Sequence, residues 1–354
     1  MGSEWRELPP AIGDGELAAF ASGIAAPVAV TGATGFVGSH LVEALLRAGL
    51  RPRVLARDPA RLDAPTRESV DVVVGDLCDP AALAGLVTGA STVVHLAGVV
   101  RAGRAAEFDA ANRGGTSRLV AARDLCAPGA FFVHVSSLAA AGPSPRPEGR
   151  SPDEPASPVS AYGRSKLAGE EAVRGSAGPW VILRPPAIYG PRETDVLQFF
   201  RLAARGLVPL PAGERWVTMA HVADIVRAIL SAAALRPAGR TFHLGEPSPL
   251  RMDELVGRLA AAGGVRARVV PVPPWALRAA GALGDVAHLV GARSVAITSD
   301  KARELLARHW SAESGPSLRA LGLDGFIPFA SGAAQAWAWY RERDWLPHAK
   351  ISRQ

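Results

Sequence analysis

Between Pro27 and Gly190 short β-branched runs alternate with stretches of helical periodicity, and this alternation constrains the fold more than any other feature of the 354-residue chain. The runs 27–31 (PVAVT), 52–56 (PRVLA), 70–74 (VDVVV), 92–97 (TVVHLA), 131–136 (FFVHVS) and 180–184 (WVILR) read as strands. Helix-like stretches at 36–48, 80–88, 105–125 and 160–174 lie between them. A crossover helix between successive strands makes them parallel and covers both faces of the sheet. The expectation is an α/β fold, a Rossmann-type doubly wound parallel sheet that takes ligands at the carboxyl ends of its strands.

Past Gly190 the alternation fails. Helical stretches at 195–205, 221–235, 251–262, 275–290, 299–309 and 329–343 are separated by Pro- and Gly-rich loops, with one strand at 241–244. This reads as a smaller, mostly helical C-terminal substrate lobe. The expected division is an N-terminal arm (1–25), a dinucleotide-binding domain (26–190), a lobe (191–345) from which about 221–244 returns to the sheet, and a tail (346–354). The arm has a short amphipathic piece near Glu16 to Ala21. The Pro-rich loop 143–158 is long enough to suggest a functional role.

Composition excludes several classes. Hydrophobic residues make up 48% and charged residues 20%, which excludes a disordered chain. Two cysteines, Cys78 and Cys126, exclude a disulfide framework and suit a reducing compartment. The net charge of +6 would suit nucleic acid if the basic residues clustered, but the 36 arginines are spread along the chain, so no nucleic-acid partner is expected. No run reaches the ~18 apolar residues of a membrane span. The opening MGSEWRELPP lacks the basic and apolar regions of a signal peptide. A cytoplasmic protein without stable membrane insertion is expected, working on a small-molecule substrate and forming a homodimer.

Four features carry chemistry. TGATGFVG at 31–38 places Gly32, Gly35 and Gly38 after the first strand and at the start of a helix. Glycines there permit a tight turn and close approach of backbone to a pyrophosphate, and the helix supplies unpaired N–H groups. At the end of the second strand, where an acid would bind the ribose hydroxyls of NAD, stand Ala56 and then Arg57. A guanidinium can fork onto a 2′-phosphate, so NADP(H) is expected over NAD(H). Tyr162 and Lys166 lie four apart at the start of a helix, and each belongs to a residue type that occurs only three times. A cation ~4 Å from a phenol at an effective dielectric of ~20 can lower its pKa by up to ~3 units, which would let Tyr162 exchange a proton near neutral pH. Finally, Ser136 and Ser137 end the fifth strand, where a hydroxyl can hold a substrate oxygen.

The eight histidines show no metal-ligand spacing, so no metal is expected, and His95 and His134 read as core residues satisfied by backbone. No GxSxG elbow accompanies the serines, which argues against a hydrolase.

These features in this order resemble the extended type of the short-chain dehydrogenase/reductase superfamily over about residues 27–345. Further motifs are GDLCDP with Asp76, VVHLAG at 93–98, NRGGT at 112–116, VSSLAAAG at 135–142, YGRSK at 162–166 and RPPAIYGP at 184–191. The resemblance implies a Ser137–Tyr162–Lys166 active site, with Ser136 as the rival serine. It also implies a cofactor site of Gly32, Thr34, Gly35, Phe36, Val37, Gly38, Arg57, Asp76, Leu77, Ala97, Gly98, Lys166, Pro185 and Ile188. Asp76 and Leu77 would flank the adenine, Lys166 bind the nicotinamide ribose, and Pro185 and Ile188 pack near the nicotinamide.

Leu138 and Ala139 stand where the dehydratase branch has an Asp–Glu pair, and Ala187 where many nucleotide-sugar epimerases have Asn. The chain looks more like the dihydroflavonol-reductase and 3β-hydroxysteroid-dehydrogenase branches. The expected activity is NADP(H)-dependent hydride transfer between nicotinamide and a ketone or secondary alcohol of a fairly apolar substrate. A nucleotide-sugar epimerase, with Arg215 and Arg192 on the diphosphate, is the alternative, and a non-catalytic cofactor-binding subunit the third reading. Phe199, Phe200, Trp216 and Trp275 are candidate pocket walls or core. Residues 273–290 read as an internal amphipathic helix, with a membrane-surface or lid role as alternatives.

Overall fold

The computed structural model describes residues 12–289 and 297–347. Residues 1–11 of the expected arm, position 290 of the expected helix and positions 348–354 of the expected tail lie outside the described residues.

FFVHV at 131–135 is buried at every position, a pattern that only a strand covered on both faces accommodates. It lies inside the central sheet, with a strand paired on each side. In chain order the first half runs α1 (Asp14–Gly23), β1 (Val28–Thr31), α2 (Phe36–Arg47), β2 (Arg53–Ala56), α3 (Ala64–Ser69), β3 (Asp71–Val74), α4 (Pro80–Val87) and β4 (Thr92–His95). It continues through α5 (Ala105–Phe108), a wide π-type turn (Asp109–Gly114), α6 (Gly115–Cys126), β5 (Phe131–Val135), α7 (Leu138–Ala141), α8 (Ala161–Arg174) and β6 (Trp180–Arg184). The second half comprises β7 (Ala187–Tyr189), α9 (Leu197–Ala204), β8 (Leu207–Pro211), β9 (Trp216–Val217), β10 (Met219–His221), α10 (Val222–Leu235), β11 (Arg240–His243) and β12 (Leu250–Arg251). It closes with α11 (Met252–Ala262), β13 (Arg268–Val272), α12 (Pro274–Leu289), α13 (Ser299–Leu306), β14 (His309–Trp310), α14 (Gly315–Ala320) and α15 (Phe329–Glu342).

Seven strands form one parallel sheet in the order β11-β6-β5-β4-β1-β2-β3. Strand β1 pairs with β2 on one side and β4 on the other, so the chain reverses its winding direction there. That switch point opens a crevice at the carboxyl ends of β1 and β4, where doubly wound sheets bind ligands. One apolar core joins α1, α2 and α10 to the sheet through Leu17, Leu41, Leu45, Ile225 and Ile229. A second, with Leu83, Leu86, Leu119 and Val173, fills the opposite face.

Every expected strand and helix between 27 and 190 is present within a few residues, as is the strand at 241–244, which joins the sheet edge beside β6. The amphipathic piece near Glu16 is α1; its Glu16 carboxylate accepts from Arg227 Nε of α10 at 2.6 Å. The lobe is less purely helical than expected. LVPLP of β8 pairs in parallel with RVVPV of β13, and β9 lies between β12 and β14. Its own core gathers Phe200, Trp337, Trp339 and Tyr340.

Candidate active site

β1 leaves the sheet at Gly32, which adopts φ +77°; a Cβ there would stand 2.7 Å from the Ala97 nitrogen. The Gly35 N–H donates to the Gly32 carbonyl at 2.9 Å and closes the turn. Gly35 then caps α2 without a side-chain bond, so the first N–H groups of the helix have no side-chain cap. Thr34, Phe36 and Val37 are half-buried along this turn. Ala97 and Gly98 face it from the end of β4. Asn112, in the π-type turn, fixes that second loop: its Oδ1 accepts from Val99 N at 2.8 Å, while its Nδ2 donates to Val99 O at 3.0 Å and to Ser165 Oγ at 2.9 Å.

At the end of β2 the exposed Arg57 borders an open depression of about 300 Å³ together with Val74, Gly75, Asp76 and Asp79. Both carboxylates are already engaged, Asp76 by the Cys78 N–H at 2.7 Å and Asp79 by the first N–H groups of α4. Leu77 packs against Gly115, and its carbonyl accepts from Arg118 Nε at 2.6 Å.

The catalytic candidates come from β5, α7 and α8. Ser137 caps α7, its Oγ accepting from Ala139 N at 3.1 Å, and its side chain is close enough to the Tyr162 hydroxyl to oppose the burial-driven rise of the phenol's pKa. Gly163 makes this proximity possible, since a Cβ there would lie 2.4 Å from the Ala139 carbonyl oxygen. Ser136 is otherwise occupied: its buried hydroxyl donates to Glu170 Oε1 at 2.6 Å. Glu170 also accepts from Arg184 Nε at 2.8 Å and Nη2 at 2.7 Å, and from Arg174 at 2.8 Å. Burial opposes its ionisation, but these arginines and Ser136 hold its carboxyl below the ordinary range.

Lys166 is buried and donates to the Val135 carbonyl at 2.9 Å. Burial lowers its pKa to about 8, against the opposing charge of Glu170 one helical turn away. The expected lowering of the Tyr162 pKa is not found. Burial pushes the phenol up to about 12; the Ser137 hydroxyl counters this and the Glu304 carboxylate adds to it. The physical reason is that the lysine's hydrogen bond goes to the strand end, while the phenol sits in a desolvated niche beside the Phe108 ring, 5.9 Å centroid to centroid.

Pro185 is buried, and its carbonyl accepts from Leu138 N at 2.7 Å. Ile188 is half-buried in β7, next to the exposed Ala187. Arg215 cannot serve a diphosphate: its guanidinium is committed to the carbonyls of Pro211, Ala212, Leu306 and Ala307. Arg192 pairs with Glu43 at 2.8 Å. Of the candidate pocket aromatics, Phe200 is core against Trp337 and Tyr340, Phe199 packs partly against that core, and Trp216 is half-buried with Nε1 on Glu214. Trp275 is neither wall nor core, being 70% exposed. His95 is satisfied by the hydroxyls of Thr31 (2.7 Å) and Thr116 (2.9 Å) rather than by backbone, and His134 stacks on it at 5.3 Å with neither ring nitrogen bonded. Among the described residues no cluster could hold a metal, and no helix is long and apolar enough to cross a membrane.

Sequence reasoning missed Asn112, Gly163, Glu170 and Asp300. The carboxylate of Asp300, on α13, receives the Ala161 N–H at the start of α8 at 2.9 Å. Only NRGGT and the Glu four residues after Lys166 gave any local sign of them.

The model of the NAD dependent epimerase/dehydratase family matches residues 28–245. The chain belongs to that family. Like other members of this epimerase/dehydratase family, it is an NAD(P)-dependent enzyme of the extended short-chain dehydrogenase/reductase type. It is 40% identical to a ceramide reductase of Caulobacter vibrioides over 330 residues, covering 90% of this chain and 96% of that one. It is 28% identical to a 4-hydroxy-2-methyl-3-oxo-4-farnesyl-3,4-dihydroquinoline-1-oxide ketoreductase of Stigmatella aurantiaca, over 78% of this chain and 90% of the relative. Among solved structures, a double mutant of a Streptomyces venezuelae dTDP-glucose 4,6-dehydratase with NAD bound superposes with a TM-score of 0.72 at 26% identity, over 91% of this chain and 99% of that one.

Proposed function

We propose that this family member is an NADP(H)-dependent carbonyl reductase or secondary-alcohol dehydrogenase for an apolar, ceramide-class lipid. The observation that carries the reading is the neighbouring pair Tyr162–Ser137, flanked at 138 and 139 by a buried leucine and an alanine. One hydroxyl is available to orient a substrate oxygen and a second to give it a proton; no adjacent side chain can perform the acid–base chemistry of elimination. The nicotinamide cofactor supplies or accepts the hydride when bound.

The cradle fits such a cofactor. Gly32 and Gly38 leave no room for side chains between β1 and α2, α2 opens with N–H groups free of side-chain caps, and Arg57 lies at the end of β2 where a 2′-phosphate would be read. Lys166 uses one of its three ammonium donors on Val135, leaving two for ribose hydroxyls. Tyr162 Oη, with its pKa near 12, holds a proton throughout the neutral range, which is the form a reductase needs in its acid. The epimerase alternative loses Arg215 as a diphosphate ligand.

The two ketone- or lipid-directed relatives support the substrate class. The test is oxidation of NADPH with a ceramide-class lipid bearing a ketone in place of its secondary hydroxyl, presented in mixed micelles beside UDP-, GDP- and dTDP-sugars. Saturable turnover of the lipid ketone is expected. Conversion of one nucleotide sugar without turnover of any ketone overturns the reading.

A further inference from the structure

Helix α12 carries apolar side chains on two opposite faces. Leu277 and the glycines at 281 and 284 are turned inward, where Gly281 lies against Ser299 and Ala302 of α13 and Asp285 accepts the Ser299 N–H at 3.1 Å. The outward face presents Trp275, Arg278, Ala279, Ala282, Leu283 and Val286, a helical stripe with one charge. Trp275 and Leu283 are 70% exposed and Val286 57%. A helix apolar on both sides is normally covered on both, yet no described residue covers this stripe. The β8–β13 ribbon, which runs directly into α12, adds exposed Leu207 and Val270.

The charge of this region says what covers it. Across β8, β13 and α12 the charged residues are Arg268, Arg278 and Asp285: both arginines are exposed, the Asp285 carboxylate is turned to the Ser299 N–H, and exposed Arg205 and Arg266 stand just before the two strands of the ribbon. An apolar stripe with a tryptophan, whose exposed charges are arginines, matches the interface of an anionic bilayer, where the rings and branched chains enter the acyl boundary and the guanidinium groups meet headgroup phosphates. A second copy of the chain fits poorly, because a two-fold contact through this face would oppose arginine to arginine.

We propose that α12 and the adjoining β8–β13 ribbon form a peripheral docking surface for an anionic lipid bilayer. The surface lies next to the active site: α12 packs on α13, whose Asp300 receives the Ala161 N–H one residue before Tyr162. Docking therefore sets α8 one helix away from the bilayer surface. The inference stands on the surface alone and does not depend on the reductase reading.

The test is co-sedimentation of the full chain, without cofactor or substrate, with vesicles of phosphatidylcholine containing roughly 30 mol % phosphatidylglycerol and with pure phosphatidylcholine. Binding to the anionic vesicles is expected, weakened at least about tenfold by the double substitution Leu283→Asp with Val286→Asp and about fivefold by Arg278→Glu. All three side chains are exposed, so the thermal melting curve should not move, and NADPH affinity reports that the nucleotide end is intact. Absence of vesicle binding, equal binding by the variants, or a dimer that the double substitution dissolves would overturn the proposal. Because no turnover is measured, failure here leaves the reductase reading untouched, and failure of that reading leaves this one untouched.

Discussion

Glycine serves opposite purposes at the two ends of the molecule. In the turn after β1, a Cβ on Gly32 would meet the backbone nitrogen of Ala97 at 2.7 Å, and one on Gly38 would meet the Gly32 carbonyl oxygen at 2.0 Å. In the lobe, Gly332 and Gly263 make way for rings, their added Cβ atoms lying 2.4 Å from Tyr189 Oη and from Trp337, while Gly257 in α11 has nothing within 4 Å. The first region is specified by backbone against backbone, which suits a cofactor whose pyrophosphate is the same in every relative. The second is specified by side chains brought from distant segments, and those can be exchanged to fit different substrates.

The largest expected effect tests the rigid end. Gly38→Ala should destabilise the protein by at least about 3 kcal/mol and abolish saturable NADPH binding, because the clash is with backbone that cannot rotate away. Thermal melting and calorimetric titration read the two consequences. A variant that melts within a degree of the parent and binds NADPH normally would show that the turn is as plastic as the lobe.

Next comes the acid. Tyr162→Phe should lower turnover by at least ~10²-fold while NADPH affinity stays within about twofold, since in the proposed reaction the phenol acts on the substrate oxygen in the transition state. Retention of more than about a tenth of the parental kcat, with chemistry rate-limiting, would remove Tyr162 from the role.

This difference between the regions also explains what could be read in the chain. The alternation from β1 to β6, the glycine turn, and the Tyr162–Lys166 spacing are local patterns, and each lies within one or two elements. The Glu170 network was hidden because, apart from Arg174 one turn along the same helix, its partners are distant in the chain: Ser136 follows β5, Arg184 is on β6, and His243 joins it through Arg184 at 3.3 Å. Nothing local shows that this buried carboxylate holds Ser136. Likewise the lobe's ribbon pairs Leu207–Pro211 with Arg268–Val272, some sixty positions on, through sequences rich in proline that carry no strand alternation of their own. The amphipathic reading of 273–290 found the inward face of α12, but periodicity does not show that the other face stays uncovered.

Arg57→Ala sharpens the comparison at the cofactor's outer end. It should weaken NADPH by ~1.5–3 kcal/mol and leave NADH nearly unchanged, the value of one charge-assisted hydrogen bond to the 2′-phosphate. Dissociation constants for both cofactors decide it; equal losses would make Arg57 a general contributor to the site's charge. A smaller effect concerns Lys166. Its burial-lowered pKa of about 8 means that the free enzyme loses the ammonium as pH rises past that value, so NADPH affinity should fall on the alkaline side, by at most about tenfold per pH unit, and level off at the affinity of the neutral amine. The slope should vanish in Lys166→Met; a slope that survives there belongs to another group.

The smallest effect lies in the lobe and has the opposite sign. Gly257 occupies the interior of α11, is exposed, and has open space where a Cβ would go. Its backbone is already helical, so Gly257→Ala introduces no strain, removes conformational freedom from the unfolded chain, and should stabilise the protein by ~0.5–1 kcal/mol. The expected rise in melting temperature is about 1–3 °C for a protein of this size. Turnover should be unaffected, because α11 contributes none of the side chains placed at the active site. Destabilisation by Gly257→Ala would mean that α11 is constrained as tightly as the turn after β1, and the contrast between a backbone-specified nucleotide end and a side-chain-specified lobe would fail at its simplest position.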